Sequence, residues 1–234
     1  MKWTCVLCEH TTHSRVKPEL CAMCGGVRSF AQVDTAPKYT RAADVKSEPR
    51  KRYPTGDAEL DALLNGGFPI GTRVLLWGKG GSGKSRCALR WATHIGRTLA
   101  LSLEMEEDEC VRSAREAGGK ISELLITRDE NAELPSRGVR CLLLDSISEC
   151  KDPEAMCSRL TEWSTRTRGI VFIVCHATKA GQYKGPSDLQ HWGEAEIQVR
   201  ASRSKPGTAR ARFNKSRICP LGAVSVPLVK LHAV

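Results

Sequence analysis

Arg73-Val-Leu-Leu-Trp77 runs straight into Gly78-Lys79-Gly80-Gly81-Ser82-Gly83-Lys84-Ser85, and nothing else in the chain limits its fold so tightly. The first segment is apolar enough for a buried strand, and the residues after the loop, to Ile95, keep the spacing of a helix. A G-x-x-x-x-G-K-S loop in that position is a phosphate cradle. Its glycines let the backbone wrap an anion, so that several N–H groups and a helix N-terminus face the same charge. Lys84 is then expected to reach the β and γ phosphates of a bound ATP, and the Ser85 hydroxyl to bind Mg²⁺. The whole loop, from Gly78 to Ser85, is the expected nucleotide site.

Such a loop implies a particular surrounding. Short apolar runs alternate with amphipathic stretches through the rest of the chain, which predicts an α/β fold with a mainly parallel central sheet. Thr98–Leu103, Cys141–Asp145 and Ile170–Cys175 read as further strands. Helices are predicted over 106–117 and up to 167 from an Asp152 cap and Pro153. Later strands are expected at Ala195–Val199 and Ala223–Leu228, and Ala201–Arg212, rich in Ser, Pro, Gly and Thr, reads as a mobile loop. Asp145 closes an apolar strand and fits the second Mg²⁺-orienting carboxylate that a P-loop needs. Glu104 ends Thr98–Leu103 and is the expected base for water. Glu106, Glu107, Asp108 and Glu109 read instead as acids favoured at a helix start. His176 ends another strand, in a turn suited to sensing a γ phosphate or touching nucleic acid.

The chain has 11 Cys. Met1 to Glu9 lacks the apolar core of a signal peptide, so these thiols are expected to stay reduced in a cytoplasmic protein. Cys5, Cys8, Cys21 and Cys24 form two C-x-x-C pairs with twelve residues between them. Four thiolates in two tight turns complete a tetrahedral shell for Zn²⁺ without His10 or His13, which lie between the pairs. A module of residues 1–30 is too small to bury a sufficient core, so the metal is expected to supply its folding energy. Residues 31–50, with Pro37 and Pro49, read as a linker, and 51–234 as the ATPase core.

Apolar residues at 41% and charged residues at 26% exclude a disordered chain, and no run approaches a membrane span. The net charge of +10 is unevenly placed. Residues 1–56 carry ten Lys and Arg against five acids, 57–196 eighteen against twenty-one, and 197–234 eight against none. A basic end points to a polyanion, with DNA the first candidate. Arg200, Arg203, Lys205, Arg210 and Arg212, together with Lys179, are the expected DNA contacts. Phe213 could stack on a base or pack beneath the loop.

Taken together, these residues resemble the RadA/Sms family of bacterial recombination ATPases, within the RecA-like group that includes DnaB-type helicases. The resemblance covers nearly the whole chain. It runs from the four-Cys module through Tyr53-Pro-Thr-Gly-Asp-Ala-Glu-Leu-Asp61 and Asn65-Gly-Gly67 to the P-loop, then to Leu101-Ser-Leu-Glu104-Met105. His176-Ala-Thr-Lys179 is similar to the family's H-x-T-K turn, and Gly185, Pro186, Leu189 and His191 to its G-P-x-x-L-x-H segment. Lys215-Ser-Arg217 stands at the family's K-x-R pair, although Ile218-Cys219 replaces the Phe-Gly that follows it. The resemblance implies a RecA-like core whose copies join in a ring or filament. Lys215 and Arg217 would there reach the neighbouring copy's nucleotide and stabilise the transferred phosphoryl group. It also implies ATP-driven action on single-stranded or branched DNA, including branch migration, beside a recombinase or replication protein. The family's Lon-protease-like C-terminal domain and the helicases' N-terminal domain are expected to be absent. Two rival readings fit the same residues. One is a compact helicase or loader for a mobile element, and the other a nucleotide-gated module that recruits a protein and hydrolyses ATP slowly.

Overall fold

Val74-Leu-Leu76, Cys141-Leu-Leu-Leu144 and Ile170-Val-Phe-Ile-Val174 are apolar at every position, which a strand needs only when both its faces are covered. In the computed structural model of the chain they lie side by side in one sheet. The structure describes residues 2–33, 48–178 and 187–228. It divides into two units, Met1–Pro49 and Arg50–Val234.

The first unit is a three-stranded antiparallel sheet in the order β2-β1-β3, with β1 at Lys2–Cys5, β2 at Thr11–His13 and β3 at Phe30–Val33. Its small core is Trp3, Cys5, Cys21 and Phe30. Cys5 pairs with Phe30 and Lys2 with Val33, so the module continues three residues past 30, into the segment expected to be linker.

The second unit opens with β4 (Arg52–Tyr53), α1 (Ala58–Leu63) and β5 (Phe68–Pro69), where β4 and β5 pair. It continues through β6 (Arg73–Gly78), α2 (Lys84–Ile95), β7 (Thr98–Ser102), α3 (Glu107–Glu116) and β8 (Leu124–Thr127). Next come β9 (Cys141–Asp145), α4 (Pro153–Thr167), β10 (Ile170–His176) and α5 (Ser187–Trp192). The last strands are β11 (Ala195–Ala201), β12 (Thr208–Ser216) and β13 (Ala223–Pro227). The sheet order is β13-β12-β11-β6-β10-β9-β7-β8. From β11 to β8 the pairs are parallel, whereas β12 and β13 run antiparallel.

Alternation along β6 sorts the core into two layers. Val74 and Leu76 join Trp91, Phe172 and Phe213 beneath α2, and Leu75 and Trp77 join Met156, Leu160 and Trp163 beneath α4. Helix α4 starts as its sequence predicts, with the Asp152 carboxylate accepting from the Ala155 N–H at 2.9 Å and Pro153 in the first turn. The segment expected to be a mobile loop differs. Only 202–207 form a turn, and β12 begins at Thr208. Its Ala209, Ala211 and Phe213 are buried while Arg210, Arg212 and Asn214 are exposed, a two-residue period that outweighs its poor strand composition.

Candidate active site and metal centre

The P-loop glycines are needed for different reasons. A Cβ on Gly78 would run into the Val199 carbonyl of β11 and lie 2.8 Å from the Ser82 hydroxyl. Gly83 caps α2 at φ +91, where its own Cβ would meet Leu228. At Gly80 and Gly81 an added Cβ would meet nothing within 4 Å, so this side of the loop is open. No side chain caps α2, which leaves the N–H groups of its first turn for an anion. Lys84 is buried, and its ammonium donates to the Lys79 carbonyl at 3.0 Å. Burial pushes its pKa down, against the pull of Asp145 and Glu104.

Asp145 ends β9, two strands away from the P-loop strand. It is 2% exposed, and among the described residues neither carboxylate oxygen has a hydrogen-bond partner. Burial raises its pKa to about 6, and the Ser85 hydroxyl stands near enough to favour the charge in part without closing a full hydrogen bond. A buried orphan carboxylate beside a P-loop serine is a donor set that Mg²⁺ fits. Glu104 follows β7, and the N–H groups of Leu103 and Glu104 both donate to the Asp145 carbonyl, at 2.7 and 3.2 Å. Its side chain meets His176 at the end of β10, with Oε2 3.0 Å from Nε2. The structure thus brings Lys84, Ser85, Asp145, Glu104 and His176 to the carboxyl ends of adjacent strands. The contact between Glu104 and His176 has no sequence signal, because it depends on the order of the strands.

Lys215 and Arg217 are elsewhere. Lys215 pairs with Glu196, which pairs with Leu75, so the register sets both cations at the amino end of the sheet. Gly78 lies three residues farther along β6, about 10 Å away at ~3.3 Å per residue. The Lys215 ammonium donates to the Gln190 carbonyl at 2.7 Å, and Arg217 is exposed. After them Ile218 is buried, and the Ser216 hydroxyl accepts from the Ile218 and Cys219 N–H groups at 3.2 and 3.0 Å, so a serine turn forms at the Ile218-Cys219 pair that departs from the family pattern. Arg200 and Arg210 face each other across β11 and β12. Together with Arg212, Gln198 and Asn214 they line a groove of about 600 Å³. Arg203 and Lys205 are exposed in the turn, and Phe213 is buried under the groove. Lys179, Gly185 and Pro186 lie outside the described residues.

In the first unit the sulfur atoms of Cys5, Cys8, Cys21 and Cys24 all lie within 4.8 Å of one another. Cys5 and Cys24, and likewise Cys8 and Cys21, are 3.7 Å apart. A zinc tetrahedron with bonds of about 2.3 Å has S···S edges of about 3.8 Å, so the four thiols fit the metal. The Ser29 hydroxyl, 3.2 Å from the Cys5 sulfur, lowers that thiol to about 6.

No protein-family model matches the chain. Among curated proteins, the DNA repair protein RadA of Treponema pallidum is 24% identical over 210 residues, 82% of this chain and 46% of the relative. RadA of Aquifex aeolicus is 27% identical over 197 residues, 75% of this chain and 44% of the relative. RadA of Streptococcus pneumoniae is 27% identical over 186, 71% and 44%. The chain therefore spans about half the length of the curated relatives it matches. Among solved structures, the RadB recombinase superposes with a TM-score of 0.56 at 20% identity, covering 73% of this chain and 93% of that one. A KaiC-like protein from Pyrococcus horikoshii gives 0.56 at 18% identity, covering 76% and 94%.

Proposed function

We propose that this RadA-like chain, with its RecA-like fold, hydrolyses ATP and works on DNA in recombination or repair. The observation that carries the reading is Asp145, a buried carboxylate beside Ser85 and the P-loop with no hydrogen-bond partner among the described residues. Burying an unpaired acid is costly, and a nucleotide-bound Mg²⁺ offsets that cost in the working state. The N–H groups of Gly78 to Ser85 hold the phosphates. Lys84 exchanges its contact with the Lys79 carbonyl for the β and γ phosphates, and Glu104 accepts a proton from the attacking water. Ser85 and Asp145 would hold Mg²⁺, which when bound neutralises charge on the phosphate oxygens.

Lys215 and Arg217 act on the nucleotide of a neighbouring copy in a ring or filament. Their place at the end of the sheet opposite their own P-loop supports a role between copies. The groove of Arg200, Arg210 and Arg212, with Arg203 and Lys205 on the turn, follows the phosphates of single-stranded or branched DNA. Arg200 and Arg210 are like charges directly opposite, an arrangement that an anion relieves. Branch migration in the cytoplasm, next to a recombinase or replication protein, is the role proposed for the whole. The zinc module at Cys5, Cys8, Cys21 and Cys24 is held in one shape by its metal.

ATP hydrolysis measured with and without single-stranded DNA, across protein concentration, tests this reading. Lys84→Ala should abolish turnover, and a mixture of Glu104→Ala and Arg217→Ala chains should recover part of the activity that each lacks. Failure of assembled mixtures to recover activity would refute catalysis between copies. A rate indifferent to DNA, with DNA affinity indifferent to salt, would refute the DNA role.

A further inference from the structure

The geometry points to His176 as the positioning residue for Glu104, an inference that rests on reading Glu104 as the base. The two residues do not come from adjacent strands. Glu104 follows β7 and His176 ends β10, with β9 between them, so their hydrogen bond of 3.0 Å spans the end of β9 where Asp145 lies. Both ends of this span are fixed by backbone. The Leu103 and Glu104 N–H groups are tied to the Asp145 carbonyl, and His176 lies in register with Gly78, whose carbonyl accepts from the Ala177 N–H at 2.9 Å. The main chain that carries the imidazole is thus set by the first residue of the P-loop, and the ring's contact ties that position to the glutamate.

The carboxylate can only accept, so Nε2 carries the hydrogen in this contact. One oxygen of Glu104 is then held, and the other is left to take a proton from water. Without the imidazole, the glutamate turns freely about its side-chain bonds and loses the alignment on which proton transfer depends. Stability alone does not account for the pair. Its side chains are 28% and 42% exposed, and an exposed pair contributes little to folding. In this role His176 acts through Glu104.

Steady-state hydrolysis by the full chain with Mg²⁺ and ATP tests the assignment. His176→Ala should lower kcat by about 10- to 100-fold with KM within about twofold and an unchanged melting temperature. His176→Gln, which keeps a donor at similar reach, should recover most of the rate. In a Glu104→Gln background, His176→Ala should add no further loss. Wild-type kcat in His176→Ala, or an additive loss on top of Glu104→Gln, would overturn the inference while leaving Glu104 as the base. Wild-type turnover in Glu104→Gln would instead overturn the reading of Glu104, and the inference with it.

Discussion

Replacing Asp145 by Asn should stabilise the nucleotide-free protein while it removes activity. The carboxyl is raised from 3.8 to about 6, chiefly by burial, so the folded chain holds about 3 kcal/mol against its charged form. Because the folded pKa is the higher one, the group lowers stability, and the sign of the pH dependence follows. Below about pH 3.8 the acid is neutral in both states and the penalty is absent; it grows as pH rises and is complete above about pH 6. Asn has nearly the same shape and no charge to bury. At roughly 2–4 °C per kcal/mol for a domain of this size, the variant should melt about 6–12 °C above the wild type at pH 7. The gap should shrink steadily toward pH 4. Thermal unfolding without Mg²⁺ or nucleotide, across that range, reads both numbers. Adding Mg²⁺ with nucleotide should then raise the wild type more than Asp145→Asn, since only the wild type gains a partner for its buried charge. If the variant melts at or below the wild type at pH 7, or the gap is constant with pH, Asp145 is paired in the folded protein. The argument for a metal at this carboxylate would then fail.

Four other perturbations separate packing from binding. Gly78→Ala drives a methyl into the Val199 carbonyl and should lower both the melting temperature and ADP affinity, measured by calorimetry. Phe213 is 1% exposed, so Phe213→Ala should cost about 3–5 kcal/mol in denaturant unfolding. Were it a base-stacking residue, DNA affinity would fall and stability would hold. Arg210→Ala with Arg212→Ala should weaken DNA binding and flatten its dependence on log salt by about 0.7 per lost contact to a single strand, read by anisotropy titrations. Cys21→Ser should reduce bound zinc from one ion per chain to none and unfold Met1–Pro49, while the unfolding transition of Arg50–Val234 stays in place.

Strands β6, β9 and β10 were legible because each contains an unbroken apolar run, and the P-loop because its residues must occur in one order. Strand β12 was missed for a physical reason. Ala is disfavoured in strands, and Ala209 and Ala211 fill two of the three buried positions on this face, beside Phe213, packing only because β11 and β13 flank them. Asp145 and Glu104 could be picked out as acids at strand ends. That Glu104 meets a histidine 72 residues away could not, since the contact follows from β9 lying between β7 and β10. The position of Lys215 was hidden in the same way. Its motif carries no trace of which end of the sheet it occupies, and only the pairing of Lys215 with Glu196 and of Glu196 with Leu75 reveals it.

That register has a consequence for the proposed assembly. At the carboxyl end of the sheet, Val199 of β11 and Leu228 after β13 fill the space beside Gly78 and Gly83, so they form part of the wall behind this chain's own phosphate cradle. At the amino end, β12 carries Lys215 and leads into Arg217, the two cations proposed to reach a neighbouring copy. Ala209, Ala211 and Phe213 are buried between these ends, and the pairing of β11 with β12 slips by one residue between Glu196 and Ile197, beside Lys215. In the proposed assembly, a cation drawn onto a neighbour's phosphate would load β12, the partner of the β11 strand that backs the first P-loop. Arg200, Arg210 and Arg212 lie on the exposed face of that same pair, so an anion bound there loads the same element. DNA and the neighbouring nucleotide would then act on hydrolysis through one hairpin, and neither needs to touch Glu104.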